Sequence, residues 1–410
     1  MSEFDFSNYP VLPSEPAGEL REKLSRVKYV FTDLDATMLA PGSCALAGND
    51  GTPSTTLVEA IVALKRAGIE IIPCSGRARV MMHEDSRILG FNSYIGEMGG
   101  LLMLDLKANE WEYFTGDMPY DPACGLTPHQ VIEQAGVCQG IIDRWPGRIE
   151  YHNDMANGIK YREVTVGMRG EVPDDEAQAM IDKAGLGLVW ANNGYLTHVS
   201  KPTTLDLGED GPGRAFNIMP AGLNKGRGIE RFCELRGIDP AETLAIGDSE
   251  SDFLAAPYVG TFICVENALK DPATPALIAE NDNVYITRGK VVEGWVYMAN
   301  ACSRQRRKGG ESTGCSIANA PSAYSIPAWA ALPSPGALPN RCPMSRFTTW
   351  AIPNGARMAY APRRRCAPLC SRRAIGWPSM TSRSWSSPAT RRRPRAFASR
   401  SRSCRCPSSV

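Results

Sequence analysis

The chain has 410 residues, of which 43% are hydrophobic and 22% charged, and a formal net charge of +1. That is enough for two ordinary domains plus an appendage, and the composition is that of a globular protein, which excludes a fibrous or wholly disordered chain. The near-neutral total conceals two regimes: residues 1–301 hold 25 Lys/Arg against 43 Asp/Glu, whereas residues 302–410 hold 20 Lys/Arg against the single Glu311. An acidic body repels nucleic acid at long range and suits an enzyme with a locally basic or metal-loaded site. The opening MSEFDFSNYPVLPSEP lacks a basic region before an apolar run, and no stretch of about 18 apolar residues occurs, so a soluble, cytoplasmic protein without a membrane span is expected. Cys44, Cys74, Cys124, Cys138, Cys233 and Cys264 are widely spaced and read as reduced thiols of an intracellular core.

Residues 1–26 read as a polar leader with one short helix. VKYVFTDLD then has the pattern of a buried strand ending on acids, LVEAIVALKRAG (57–68) carries apolar residues at helical spacing with Gly68 as its stop, and IEIIPCSG (69–76) is a second strand. Together they predict a right-handed βαβ unit of a parallel sheet. From 84 to 221 the alternation is lost. Strands such as LLMLDL, EWEYFTG, YREVTVGM and LVWANNGY mix with helices near 128–136 and 174–184, which predicts an inserted α+β domain. Alternation resumes with a helix over 224–238, the strands TLAIGDSESD, TFICVEN and VYITRG, and the helix VVEGWVYMANA. Residues 27–83 and 222–301 are thus expected to form one discontinuous α/β core. From Cys302 to Val410 the chain is rich in Arg, Pro, Ser, Ala and Cys without apolar periodicity, and reads as a disordered basic tail. Its sudden loss of acids is also what a shifted reading frame in GC-rich coding DNA would produce.

Four clusters carry chemistry. DLDATML (33–39) places Asp33 and Asp35 at the C-terminal end of a predicted strand, where an open parallel sheet binds ligands and where one carboxylate and one carbonyl can share a cation such as Mg²⁺. CSGR (74–77) offers the Ser75 hydroxyl and following backbone N–H groups to a phosphate oxygen, with Gly76 permitting close approach and Arg77 beside it. NKGRGI (224–229) puts Lys225 at a helix start, where ammonium and helix dipole both favour an anion. IGDSESD (246–252) sets Asp248 after a strand and Asp252 four residues on, spaced either to reach one metal or to cap a helix. Each cluster alone is weak evidence, a surface turn or cap being the ordinary alternative. All four falling on one predicted edge of one sheet is not.

In that set and order the sequence resembles the haloacid dehalogenase superfamily of phosphatases, across roughly residues 27–301, and the 84–221 insert resembles a class II (IIB-like) α/β cap. FNIMPAGLNKG (216–226) resembles the corresponding stretch of sucrose-phosphate and mannosyl-phosphoglycerate phosphatases. The resemblance implies a Rossmann-like core and Mg²⁺-dependent hydrolysis of a small phosphorylated metabolite, a sugar phosphate or glycosyl-phosphoglycerate. It implies Asp33 as nucleophile forming an aspartyl-phosphate and Asp35 as general acid and base. Thr37, Ser75, Gly76 and Lys225 would serve the phosphate, with Arg77 in support. Asp33, the Asp35 carbonyl, Asp248 and, through water, Asp252 would hold the metal. Two positions depart from the family pattern: Ala36 stands where Gly is common, and Met98 in GEMGG replaces an Asn.

Because the core sees only phosphate, the insert must supply specificity: His198, Lys201, Arg162, Asn192 and Asn193 are its polar candidates, with a solvated face as the favoured alternative for each, and Trp190 and Tyr195 read as insert core in preference to sugar-stacking platforms. A phosphomutase or phosphotransferase shares the aspartyl-phosphate and differs only in the acceptor. A reading of another class is nucleic-acid binding through the Arg-rich tail.

Overall fold

The computed structural model describes residues 6–152, 161–196, 198–208 and 211–311; the proposed tail lies outside them from residue 312 onward. Five parallel strands make the central sheet: β1 (Tyr29–Thr32), β2 (Glu70–Pro73), and, after the insert, β10 (Thr243–Gly247), β11 (Thr261–Cys264) and β12 (Val284–Ile286), in the spatial order β12-β11-β10-β1-β2. Their side chains are buried almost throughout, which is why the sequence shows continuous apolar runs instead of alternation. Register aligns Thr32 with Ile246 on one side and with Pro73 on the other, so Asp33, Asp248 and the Cys74–Arg77 loop leave neighbouring strands at one end.

Helices cover both faces: α1 (Gly18–Arg26), α2 (Thr56–Arg66) and α3 (Arg79–Leu89) before the insert; α7 (Lys225–Arg236), α8 (Glu250–Phe253), α9 (Thr274–Ala279) and α10 (Val291–Glu311) after it. One apolar cluster joins α1, α2 and α10 to the sheet through Leu24, Leu57, Leu64, Val30, Ile71 and Trp295; the other packs α7 through Ile229 and Phe232 against Phe31, Ile72 and Phe262. The presumed leader is tied in as well, since Leu12 is fully buried and its N–H donates to Ile286 O. The boundary expected at Cys302 is corrected: α10 continues to Glu311, with Cys302, Ser303 and Gln305 buried. Trp295, Met298, Ala299 and Cys302 form one stripe at helical spacing, which the surrounding arginines hide in a composition reading.

The insert has two parts. β3 (Tyr94–Gly96), β4 (Leu101–Asp105) and β5 (Glu110–Tyr113) form an antiparallel sheet whose first strand is bridged to the core at Cys74–Ile95, and Ile95 and Leu102 belong to the α7-side cluster. β6 (Ile149–Tyr151), β7 (Val166–Gly170), β8 (Leu188–Tyr195) and β9 (Arg214–Pro220) form a second sheet in the order β6-β7-β9-β8, packed on α4 (Pro128–Gln134), α5 (Val137–Arg144) and α6 (Asp174–Asp182) around its own cluster of Ile132, Ile141, Met168, Ile181 and Phe216. Trp190 stacks on Phe216 in that cluster as expected, but Tyr195 is 82% exposed, because the β8 register shifts between Asn192 and Tyr195 and turns the ring outward. Arg162 is likewise corrected: far from lying on a solvated face, it is buried.

Candidate active site

The site is assembled at the C-terminal ends of β1, β2 and β10. Asp33 leaves β1 with its N–H bonded to Ile246 O, so β10 fixes the backbone that carries it. Its carboxylate is buried and its Oδ1 accepts 2.8 Å from Lys225 Nζ. Lys225, the first residue of α7, is itself buried and gives a second bond of 2.6 Å to Asp252 Oδ1. Gly226 permits this approach, because a Cβ there would lie 1.9 Å from Leu254 O, just past α8. One ammonium thus bridges two buried carboxylates.

Asp252 realises the capping reading of its spacing. Its Oδ2 accepts from the Asp248 and Ser249 N–H groups and from Ser249 Oγ at 3.2, 3.0 and 2.7 Å, forming the capping box of α8, while its Oδ1 takes Lys225. Asp248 is held from both sides, by Thr37 Oγ1 at 3.1 Å and by Asn267 Nδ2 at 3.0 Å. Thr37, expected at the phosphate, is fully buried with its hydroxyl directed to Asp248, so its side chain orients a carboxylate. Asn267 was not singled out on the sequence. Its amide also donates to Ala36 O, tying the loop after β1 to the loop after β10.

Oxygens of Asp33, Asp248 and Asp252 lie within 4.8 Å of one another. Such a cluster of hard oxygen donors fits an ion of the Mg²⁺ type. Its electrostatics say the same. Burial, opposed by Lys225 and reinforced by Asp252 and Asp248, raises the Asp33 carboxyl above its ordinary range. Burial and the nearby Asp252 charge push Asp248 up to about 6. Against burial, the two carboxylates hold Lys225 well above the ordinary lysine value. Two carboxylates whose neutral forms are favoured are short of positive charge.

Asp35 sits differently. Its side chain is about half exposed and clamped by Arg77, whose Nη2 and Nε reach the two oxygens at 2.6 and 3.0 Å, and by Ser43 Oγ at 2.6 Å. Burial raises its pKa, but the Arg77 and Ser43 hydrogen bonds and the Arg77 charge outweigh burial and hold the carboxyl below the usual range. Arg77 is anchored in turn by Asp85 of α3 at 2.6 Å. Arg77 therefore faces the Asp35 carboxylate in this structure. Neither Ser43 nor Asp85 was identified on the sequence; Ser43 lies in a Gly/Pro-rich loop without periodicity.

Ser75 is buried, with its N–H on Ile95 O and its hydroxyl accepting from the Arg77 N–H. Met98 stands over Gly76: a Cβ on that glycine would be 3.0 Å from Met98 Sδ. Glu97 and Met98 are both left-handed, with φ of 47° and 61°, and that turn brings Met98 N–H onto Ser75 O. Ala36 also has positive φ, 60°, at a position where glycine is the unstrained residue. Ala36→Gly should therefore stabilise the fold by up to about 1 kcal/mol, read as a rise in urea midpoint; a clear loss would show that the methyl is needed.

With carboxylates, a buried lysine and the Ser75 loop gathered at the strand ends, the candidate site lies at the sheet's carboxyl edge, where open parallel α/β sheets bind ligands. The haloacid dehalogenase-like hydrolase family matches residues 199–283, which include Lys225, Asp248 and Asp252. A phosphoglycolate phosphatase of Methanospirillum hungatei is 25% identical over 243 residues, 59% of this chain and 85% of that protein; one of Methanoculleus marisnigri is 24% identical over the same shares. Among solved structures, Thermoplasma acidophilum 0175 superposes with a TM-score of 0.47 at 17% identity, over 68% of this chain and 99% of the other. Within residues 199–283 the chain thus matches a haloacid dehalogenase-like hydrolase, and over 59% of its length it is similar to proteins called phosphatases.

Proposed function

We propose that the chain hydrolyses a small phosphate monoester through an aspartyl-phosphate on Asp33 and depends on Mg²⁺. The observation that carries this reading is the buried Asp33–Lys225–Asp252 bridge beside Asp248, at the carboxyl end of the sheet. Asp33, Asp248 and the Asp35 carbonyl would hold the ion, with Asp252, whose oxygens already serve Lys225 and the α8 cap, reaching it through water. A bound Mg²⁺ supplies the positive charge that lets a carboxylate and a phosphate dianion approach each other. Ser75 and Lys225 offer the hydroxyl and ammonium for the phosphoryl oxygens. Asp35, about half exposed, would protonate the leaving oxygen and then deprotonate water, with Arg77 and Ser43 orienting it.

The sequence pointed to sugar phosphates and glycosyl-phosphoglycerates, and the relatives are called phosphoglycolate phosphatases. What these share is a small leaving group rich in oxygen. Phosphate release from 2-phosphoglycolate, 3-phosphoglycerate and a set of hexose phosphates should be measured with Mg²⁺, with and without added polyol acceptor. Release of inorganic phosphate is expected. Transfer to the acceptor or to a second sugar hydroxyl in place of release would make the chain a phosphotransferase or mutase.

Metal dependence has a signature independent of turnover. A carboxyl whose folded pKa is raised contributes stability that is present below the ordinary aspartate value of 3.8 and lost as pH rises through the folded value, about 6 for Asp248. A cation bound to the ionised carboxylates opposes that loss. Mg²⁺ should thus raise the melting temperature more at about pH 8 than at about pH 5. Equal shifts at both would contradict the assignment of these carboxylates to the ion.

A further inference from the structure

The backbone carbonyl of Asp33 is held from inside the core. Thr32, the last residue of β1, is fully buried, and its Oγ1 lies 2.7 Å from Asp33 O and 2.9 Å from Trp295 Nε1. An indole nitrogen only donates, and a threonine hydroxyl carries a single proton. Trp295 therefore donates to Thr32, and Thr32 spends its own proton on the Asp33 carbonyl. Trp295, on α10, is the largest fully buried side chain among the described residues, so both side chains of this relay are closed to bulk water. A hydroxyl at a buried strand end costs stability unless it is bonded. Here its two partners are the indole and the carbonyl of the proposed nucleophile.

Asp33 thus has both backbone polar groups tied, its N–H to Ile246 O at 3.0 Å and its C=O to Thr32. Thr32 O in turn accepts from the Cys74 N–H at 2.7 Å. The peptide planes on either side of the Asp33 Cα are fixed, and with them the direction in which the side chain leaves the strand. The same helix holds the next part of the loop. Val291, in the first turn of α10, donates 2.9 Å to Asn267 Oδ1, whose amide nitrogen binds Ala36 O and Asp248 Oδ2. Asn49 pins that turn by accepting from the Val292 N–H at 3.1 Å and donating 2.7 Å to Lys290 O. Trp295 through Thr32 and Val291 through Asn267 therefore reach the carbonyls of residues 33 and 36, on either side of Asp35.

We propose that Thr32, its hydroxyl oriented by Trp295 of α10, is a positioning residue that sets the Asp33 peptide and so aims the attacking carboxylate at phosphorus. The inference rests on the phosphatase reading above and extends it to the last helix of the core.

In the full chain, kcat and KM are measured with Mg²⁺ for p-nitrophenyl phosphate and 2-phosphoglycolate, well below the melting temperature of every variant. Orthovanadate serves as a five-coordinate analogue of the transferring group. Thr32→Val keeps the shape and removes the hydroxyl. It should lower kcat about tenfold for whichever ester is turned over, leave KM within about twofold, and weaken vanadate inhibition about tenfold. Thr32→Ser restores the hydroxyl and should bring kcat back to within about threefold of wild type. Trp295→Phe removes the donor that orients that hydroxyl; it should cost about threefold in kcat and add nothing in the Thr32→Val background. Wild-type kcat in Thr32→Val, or a Thr32→Ser protein no faster than Thr32→Val, would overturn the proposal whatever the melting temperatures, because a packing role moves stability without moving kcat far below the melt. Should Thr32→Val not fold, Trp295→Phe decides, and wild-type kcat with wild-type vanadate inhibition in that variant would overturn it. Those results leave the phosphatase reading standing. Failure of the wild-type protein to release phosphate from any ester would bring down that reading and the positioning role together.

Discussion

Asp33→Asn should lower turnover by several orders of magnitude, the largest change expected of any single substitution in this chain, because the attacking oxygen is removed and no acyl phosphate can form. The amide keeps the volume and can still accept from Lys225, so the fold should persist and the effect should read as chemistry. Asp35→Asn provides the contrast. It keeps the nucleophile and the backbone carbonyl while losing the group that protonates the leaving oxygen and activates water. An aryl phosphate needs little protonation, so its first step should survive while hydrolysis of the intermediate slows. Labelled aryl phosphate should then leave an acid-stable, base-labile phosphoprotein on Asp33 in the Asp35 variant and none in the Asp33 variant. Label on a serine or histidine, or wild-type turnover by Asp33→Asn, would defeat the mechanism.

The Arg77 clamp bears on the same step. A guanidinium on both Asp35 oxygens orients the carboxyl but also favours its ionised form. Arg77→Ala should consequently move the alkaline limb of the pH–rate profile upward for a substrate with a poor leaving group, whose departure needs Asp35 protonated, with a loss in kcat from the freed side chain. A profile unchanged in position would mean that Arg77 does not act through Asp35.

What the sequence disclosed was what is written locally. The strand ends of β1, β2 and β10 are legible because buried parallel strands are continuous apolar runs that stop abruptly at acids or small polar residues. Lys225 is legible because Asn224 caps the helix just ahead of it, its side chain accepting from the Arg227 N–H at 2.9 Å. Glu97 is not, since the Glu163, Val164 and Thr165 N–H groups that its carboxylate accepts from lie 66 to 68 residues away and nothing local distinguishes it from any acid at a turn. Asn267 is hidden for the same reason, its partner Ala36 lying 231 residues away, whereas Ser43, eight residues from Asp35, is hidden by an aperiodic Gly/Pro-rich loop. Composition misled in one place. The arginines after Cys302 conceal the last turns of α10, whose buried stripe ties that helix to α1 and α2. A truncation meant to spare the body should accordingly end after Glu311, and one at residue 301 should lower the melting temperature by removing buried Cys302 and Gln305.

Lys225→Met should be the most destabilising of the site substitutions, and its pH dependence identifies the cause. The side chain is buried and bonded to Asp33 and Asp252 at 2.8 and 2.6 Å, so removing the ammonium leaves two carboxylates without their shared partner. Breaking a buried pair from one side costs about 3–5 kcal/mol, most of it the penalty of the charge left behind. That penalty can be escaped only by protonation. Asp33 is already raised with the lysine present, and without it the neutral form is favoured further. The variant should therefore lose more stability at about pH 8, where Asp33 must be held ionised, than at about pH 5, where it can take up a proton. Wild-type Lys225 keeps its charge over that whole range, its pKa lying well above the ordinary lysine value, so the difference belongs to the carboxylates. Urea melts of both proteins at the two pH values measure it. A loss that is the same at both would mean that Lys225 serves packing, and that the two aspartates do not depend on its charge.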